Sequence, residues 1–591
     1  MSGIVGFVNK TKNKEKTIEI ILNKIIHRGP KELFFYHDKN IALAECSMNI
    51  HQGIHDNFIL LLDGNIFNKD ELAKVLKLKK PTDEEIIIKG FKKWQYELPK
   101  YLRGNFAFIL WDKKNKILYG ARDHFGVKPL YYSHNKNFIF ASEIKAILTY
   151  PKFKKEFNKD VLKPFLTFNF NPCDETFFKG IFTLNPGHYF IYQNNKLTIT
   201  KYYEYNFKEE NLKKEEFINL ISDSIEDSVD KNIKEQQNFG SFLSSGIDSS
   251  YLVSLAKPEK AFTVGYEEQK YNEIEYAKDL ADKLNIKHIT SVISKKDYLN
   301  IVPKIMDHFD EPIADPATIA LYFGMEKASE EVDTILSGEG ADEFFAGYGI
   351  YQDLLRFPLY SKIPFFIRRI ISKIVSSLPE FKGSYFFIRR GLKIEEWYIG
   401  GNYTFTEKES KKYLNLDSNI SISSITNKIY DNLGGQNDLN KMQAFDISLF
   451  LPKNFLANND KISSIFALDV RTPFTDTLVF DIASKLPFKY KISANTSKIA
   501  LREATEKVLP KEICNRKKLG FPVPLREWIR SDLFYNKIKD TFNTDIAAHL
   551  FNQKKIIKLL DDHREYKKDT FKKVWLIYIF LIWYEIHFIP N

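Results

Sequence analysis

Ser244-Ser245-Gly246-Ile247-Asp248-Ser249 and Ser337-Gly338-Glu339-Gly340-Ala341-Asp342-Glu343 are the two stretches that decide how this chain folds. The first follows Phe242-Leu243, read as the end of a strand, and its short Ser/Gly loop opens a helix. Such a loop aims unpaired backbone N–H groups and hydroxyls at a phosphate. The second is another small glycine-bearing loop, after the apolar run Thr334-Ile335-Leu336. Two loops of this kind, each carrying an acid, suit a nucleotide pyrophosphate with Mg²⁺ between Asp248 and Asp342. The expected cofactors are therefore ATP and Mg²⁺.

Outward from these loops, strand and helix patterns alternate. Strands are expected at 261–264 and 287–292, and helices at 213–232 and 273–284. That alternation predicts a parallel, doubly wound α/β sheet. From about residue 344 the chain reads as mostly helical. The first part differs. Short alternating runs with turn signals, at 4–8, 58–62, 106–111, 117–119, 138–141 and 188–192, predict antiparallel sheets, with helices at 17–26 and 83–92. The polar stretch Asn206-Phe207-Lys208-Glu209-Glu210 sets the expected boundary, giving units 1–207 and 208–591.

A chain of 591 residues is long enough for two or more cores. Its net charge of +11 is read as a solvated surface spread along the chain, because no dense basic tract interleaved with aromatics stands out; nucleic acid is not an expected partner. Cys46, Cys173 and Cys514 are far apart and odd in number. They fit a reducing cytoplasm rather than a disulfide framework or zinc site. The start of the chain lacks the pattern of a signal peptide. The uncharged run 574–584 has eleven residues, where about 20 are needed to span a bilayer. It is expected to be a buried terminal helix. The run 365–375, FFIRRIISKIV, is read as a helix with a solvated basic face rather than a membrane contact.

Many short motifs occur in one order: Gly3-Ile4-Val5-Gly6, His27-Arg28-Gly29-Pro30, Asp63-Gly64-Asn65-Ile66-Phe67-Asn68, Arg122-Asp123-His124-Phe125-Gly126-Val127-Lys128-Pro129, Ala141-Ser142-Glu143 and Pro186-Gly187-His188. The two loops follow, then Asp310-Glu311-Pro312, Leu451-Pro452, Asp469-Val470-Arg471-Thr472-Pro473-Phe474, Lys498-Ile499-Ala500-Leu501-Arg502-Glu503 and the run 516–522. On these residues the chain resembles the asparagine synthetase family over nearly its whole length. The resemblance implies an α+β Ntn-hydrolase-like sandwich, the class II glutamine amidotransferase domain. An α/β PP-loop ATP-pyrophosphatase domain (adenine nucleotide alpha hydrolase-like), with a helical C-terminal part, follows it.

The amidotransferase half departs from the family pattern. The family uses an N-terminal Cys at position 2 as nucleophile, with its own α-amine as base; here position 2 is Ser. The family's glutamine-binding Arg lies in an Arg-Leu-Ser run; here the run reads Ser47-Met48-Asn49. The family's Asn-Gly-Glu triplet, which supplies an oxyanion-hole amide, reads Asp63-Gly64-Asn65. A carboxylate there repels a developing oxyanion. Asp83 alone remains as a partner for the glutamine amino group. The expectation is a domain that folds but no longer hydrolyses glutamine.

The synthetase half keeps its motifs. The resemblance implies that adenine and ribose lie near Leu243 and Val264, and that Ser244, Ser245, Gly246, Asp248 and Ser249 hold the pyrophosphate. Ser337 and Gly338 line the nucleotide, Asp248 and Asp342 bind Mg²⁺, and Glu339 and Lys498 serve the acyl-adenylate chemistry. Ser245 stands where the family has Gly. The implied enzyme is a carbon–nitrogen ligase that converts ATP to AMP and pyrophosphate, joining aspartate or a related carboxylate to ammonia or an amine in asparagine biosynthesis. Ammonia then comes from solution or a separate protein. Rival readings are amidation of a sugar uronate in surface-polysaccharide synthesis, a peptide macrolactam cyclase, and a non-catalytic nucleotide-binding partner. A homodimer is left open.

Overall fold

The computed structural model describes all residues except 10–12, 50–52, 136, 152, 380, 382, 402, 517–519, 521 and 591. The motif run 516–522 therefore lies largely outside the described residues. Two six-stranded antiparallel sheets make up the first part. One runs in the order Phe182–Thr183, Tyr131–His134, Phe138–Ala141, Ser2–Val8, Ile41–Ser47, Glu32–His37. The other runs Lys196–Lys201, His188–Gln193, Ile117–Arg122, Gly104–Asp112, Phe58–Ile66, Ile54–His55.

Strand Phe58–Ile66 shows how the layers form. Successive side chains point to opposite faces. Ile59 and Leu61 enter the core between the sheets with Ile4, Leu43 and Ile109. Leu60 and Leu62 enter a second core with Ile87 and Phe91 of helix Asp83–Trp94. A strand buried on both faces loses its apolar–polar alternation, so FILLL reads as one apolar run. Helix Asp83–Trp94 begins on a capping box, with Glu85 N donating to Thr82 Oγ1 and Thr82 N to Glu85 Oε2. Helix Lys14–Asn23 covers the other sheet, placing Ile18, Ile21 and Leu22 in one core with Val5 and Ala44.

A five-stranded parallel sheet carries the second part, in the order Lys287–Ile293, Lys260–Tyr266, Phe239–Phe242, Thr334–Leu336, Asp469–Arg471. The chain enters at the central strand, winds outward to one edge, then returns to the other side. The winding reverses between Phe239–Phe242 and Thr334–Leu336, and the carboxyl ends at such a reversal are where doubly wound sheets bind ligands. The edge strand Asp469–Arg471 was not expected from the sequence, since three residues carry no period-2 pattern. Beyond residue 344 the chain is mostly helical, as expected, and includes a π-helical run, Asp446–Leu456, with Pro452 inside it.

Helix Phe571–Phe588 buries every residue from Val574 to Trp583. It packs against the first part, with the rings of Phe177 and Trp583 5.0 Å apart and those of Phe157 and Tyr584 5.0 Å apart. The uncharged run is thus core, and among the described residues no helix is long and apolar enough to cross a membrane.

Ion pairs also tie the two parts together. Arg28 is fully buried and reaches Asp63 at 2.9 Å, Glu143 at 3.2 Å and Asp460 at 2.7 Å. Lys461 reaches Glu143 at 2.8 Å and Asp310 at 2.6 Å. Burial pushes the Glu143 carboxyl up, but Lys461, Lys145 and His27 outweigh it and hold it well below the usual carboxylate range. Removing one partner of such a cluster strands the others in a low-dielectric interior. Arg28→Ala should therefore destabilise the fold by about 3 kcal/mol or more, read as a lower midpoint in denaturant unfolding.

Candidate active site

The loop after Phe239–Phe242 is held by its neighbours. Leu243 N donates to Phe262 O at 2.9 Å, and Thr263 Oγ1 donates to Leu243 O at 2.6 Å. Ser245 N donates to Glu273 Oε2 at 3.1 Å. Ser244 and Ser249 hydroxyls lie 2.9 Å apart, and Gly246 N donates to Ser244 Oγ at 3.1 Å. Gly246 then caps helix Ile247–Ala256. Ser245 takes no positive φ, so the side chain in place of Gly adds no left-handed strain. Its hydroxyl is buried with no hydrogen-bond partner among the described residues.

The loop after Thr334–Leu336 lies against this helix start. A Cβ on Gly338 would sit 3.3 Å from Asp248 Cβ. Gly340 has φ +96°, the left-handed region that favours glycine, and precedes the short helix Ala341–Phe344. Ser337 N donates to Arg471 O at 2.9 Å, which ties the loop to the edge strand. Glu339 Oε2 is buried with no hydrogen-bond partner among the described residues. Burial, then the adjacent Asp342 charge, pushes the Glu343 carboxyl up to about 8; Tyr348 donates to it at 2.5 Å.

Lys498 closes the site. Its Nζ lies 2.5 Å from Asp248 Oδ1 and 2.7 Å from Asp342 Oδ1, and the residue is 2% exposed. Lys498 is also a non-glycine residue in the left-handed region, with φ 56°. That conformation costs about 1–2 kcal/mol and persists where surrounding contacts over-determine it. The resemblance gave Lys498 to the acyl-adenylate and the two acids to Mg²⁺; the structure brings all three side chains into contact. Gly347 makes the approach feasible, since a Cβ there would meet Asp342 Oδ1 at 1.8 Å and Lys498 Cε at 2.1 Å. Gly347→Ala should keep the fold, because flexible side chains can move, but lower ATP–pyrophosphate exchange ~10-fold or more through displaced acids.

Val264 is buried on the neighbouring strand, beside Gly324, whose Cβ position is 2.7 Å from Val264 Cγ2. Glu273 and Gly347 were missed from the sequence. Both act through contacts distant in the chain, and neither lies in a loop with a phosphate-binding pattern.

The pocket around Ser2 is arranged differently. Ser2 pairs in register with Ser47, and their hydroxyls lie 3.1 Å apart. Ser2 N donates to Asp63 Oδ1 at 3.1 Å, while Arg28 takes Asp63 Oδ2 at 2.9 Å. Gly64 has φ +128°, and a Cβ there would lie 1.9 Å from Asn105 O, so the backbone needs glycine. Asn65 pairs with Asn105 across the sheet. Asp83 already faces a cation, Lys69, at 3.3 Å. Burial pushes its carboxyl up to about 6, and Lys69 pulls against that. Cys46 bonds to Ile25 O at 3.3 Å, and burial pushes its thiol up to about 12, so it supplies no thiolate. His27, Glu143 and His308 offer ligand atoms within 4.8 Å of one another, but Lys461 and Lys145 already neutralise Glu143 at 2.8 Å and 3.3 Å.

The hydroxyl loops and the Lys–Asp–Asp cluster sit at the switch point of a doubly wound α/β sheet, the place where such proteins bind ligands. Residues 220–585 match the asparagine synthase family, and residues 1–203 match the glutamine amidotransferase domain. The chain belongs to the asparagine synthase family of carbon–nitrogen ligases. It is 35% identical to glutamine-hydrolyzing asparagine synthetase 1 of Bacillus subtilis (strain 168), over 99% of this chain and 97% of that one. Identity is 24% with glutamine-hydrolyzing asparagine synthetase 3 of the same organism, over 97% and 95%. It is also 24% with the amidase chry2 of Gibberella zeae, over 86% and 85%.

Proposed function

We propose that this protein forms an amide from a carboxylate and ammonia, or a related amine, through an acyl-adenylate, and that aspartate is the acid and asparagine the product. The carboxylate attacks the α-phosphate of ATP; pyrophosphate leaves; the amine then displaces AMP. The observation that carries this reading is the Lys498–Asp248–Asp342 cluster at the point where the sheet's winding reverses. The names of the curated relatives support the choice of substrate.

In this reading the PP-loop, Ser244 to Ser249, cradles the pyrophosphate with Ser337 and Gly338, and Leu243 and Val264 line the adenosine. The unpartnered Ser245 hydroxyl is a donor free for a phosphate oxygen. Lys498 takes Oδ1 of both Asp248 and Asp342, so Mg²⁺ would be held by their other carboxylate oxygens, hard donors that suit it. When bound there, the ion offsets charge on the leaving pyrophosphate. Lys498 balances two carboxylates that otherwise repel each other and the triphosphate. Glu339, with an unpaired carboxylate oxygen at the loop, orients the acid or accepts a proton from the amine.

The amidotransferase half, 1–207, acts here as a folded partner of the synthetase half, 208–591, without hydrolysing glutamine, and ammonia arrives from solution or another protein. The reaction belongs in the cytoplasm. The test is ATP–pyrophosphate exchange with aspartate, followed by asparagine formation with ammonium. Exchange with another acid and none with aspartate would overturn the choice of substrate; no exchange with any acid would overturn the ligase reading.

A further inference from the structure

Between residues 358 and 393 the chain holds eight Lys or Arg against one Asp or Glu, a net +7 of the chain's +11. The expectation of a charge spread along the chain is thereby corrected. The segment forms two helices, Phe365–Ser377 and Ser384–Arg390, folded onto each other. Ser372 Oγ donates to Ile388 O at 2.9 Å, and Arg368 Nη1 donates to Arg390 O at 2.8 Å. The rings of Tyr360 and Phe386 meet at 5.2 Å. These contacts make the hairpin a defined element rather than a loose loop.

Its apolar side is not covered by any of the described residues. In helix Phe365–Ser377 only Ser372 is buried. Phe366 is 66% exposed, Ile370 54% and Ile374 56%; Leu359 and Leu378 flank them and are also exposed. At about 100° per residue, Phe366, Ile370 and Ile374 form one stripe about 80° wide, with Arg369 and Lys373 along one edge. The sequence reading gave this helix a solvated basic face; the structure solvates its apolar stripe as well. Lys362 and Lys373 are exposed and form no ion pair among the described residues. Contiguous apolar surface of this kind, rimmed by charge, marks an interaction site.

We propose that this helical hairpin docks the protein onto an anionic lipid surface. The occupant must accept aliphatic and aromatic side chains and supply negative charge. A second copy of the same face sets the exposed Lys362 and Lys373 against their own copies across a twofold contact, which repels. A nucleic acid matches the charge but gives Leu359, Ile370 and Ile374 no apolar phase. The headgroup and acyl boundary of an anionic bilayer supplies both, with the stripe buried at the acyl level and Lys362 and Lys373 at the phosphates, while Arg369 stays paired with Glu396 at 2.7 Å. The inference does not depend on the ligase reading.

The test is co-sedimentation of the full chain with vesicles of phosphatidylcholine, alone or with phosphatidylglycerol. Binding should appear with the anionic vesicles and weaken as salt is raised. Lys362→Glu/Lys373→Glu should reduce that binding ~10-fold or more. Phe366→Ser/Ile370→Ser/Ile374→Ser should reduce it comparably while unfolding midpoints stay at the wild-type value. Equal binding of wild type and both variants, or no binding to anionic vesicles, overturns the proposal. So does a wild-type dimer in sedimentation that the triple variant disperses, or tighter binding to RNA than to vesicles.

Discussion

Asp248→Asn and Asp342→Asn should each abolish ATP–pyrophosphate exchange while leaving the unfolding transition in place, and Lys498→Ala should lower turnover by ~10²-fold or more, the scale for losing one preorganised electrostatic group. The Lys498 ammonium lies within 2.7 Å of both carboxylates, so the three side chains act as one unit. On the proposed metal assignment, either Asn substitution removes one of the two charged oxygen ligands. It also leaves the ammonium with a single charged partner. Loss of the ammonium leaves two acids facing the triphosphate. The chemical step should suffer most, because charge builds at the acyl carbon and phosphate only in the transition state. The apparent ATP affinity should fall by less than the turnover. Nucleotide affinity measured beside single-turnover AMP formation separates the two. If Lys498→Ala weakens ATP tenfold and leaves the chemical step untouched, the residue only anchors the two acids. Undiminished exchange in both Asn variants removes the metal assignment altogether.

Much of this site could be read in the chain because its parts are local. A Ser/Gly loop between an apolar run and a helix, twice, carries its own geometry, and the parallel sheet follows from strand–helix alternation around it. Other parts are set by contacts hundreds of residues apart. Lys498 meets Asp248 across 250 positions, and Arg28 meets Asp460 across 432. No period or spacing encodes such a meeting. Strand Asp469–Arg471 escaped notice for a related reason: it exists because Thr334–Leu336 offers it an edge. The apolar stripe of helix Phe365–Ser377 was legible as a pattern, but its exposure was not. A hydrophobic face says that something covers it, and only the structure shows that the described residues of this chain do not.

Glutamine should not serve as the nitrogen source: with ATP and the acid present, glutamate release stays at background, while ammonium supports amide formation. Turnover near 1 s⁻¹, the low end of ordinary enzyme rates of roughly 1–10³ s⁻¹, would refute this. Against the family pattern, the pocket lacks three things at once. Ser2 offers a hydroxyl that already bonds to Ser47. Neither Cys46 nor Ser47 provides a cation for the glutamine carboxylate, and the arginine beside them, Arg28, is committed to Asp63, Glu143 and Asp460. If the family pattern holds, Asp63 places a carboxylate where the reaction develops negative charge, and losing a single oxyanion donor costs ~10²–10³ in rate. Ser2→Cys alone should therefore restore nothing, since the clamp and the oxyanion donor remain absent. Adding Asp63→Asn supplies an amide but takes from Arg28 a partner at 2.9 Å. That double variant should lose stability before it gains activity, because Arg28 is fully buried and Asp63 is one of its three acidic partners. Glutamate release by Ser2→Cys at ordinary enzyme rates would show that Asp63 and Arg28 tolerate an oxyanion, and the loss would then rest on the nucleophile alone.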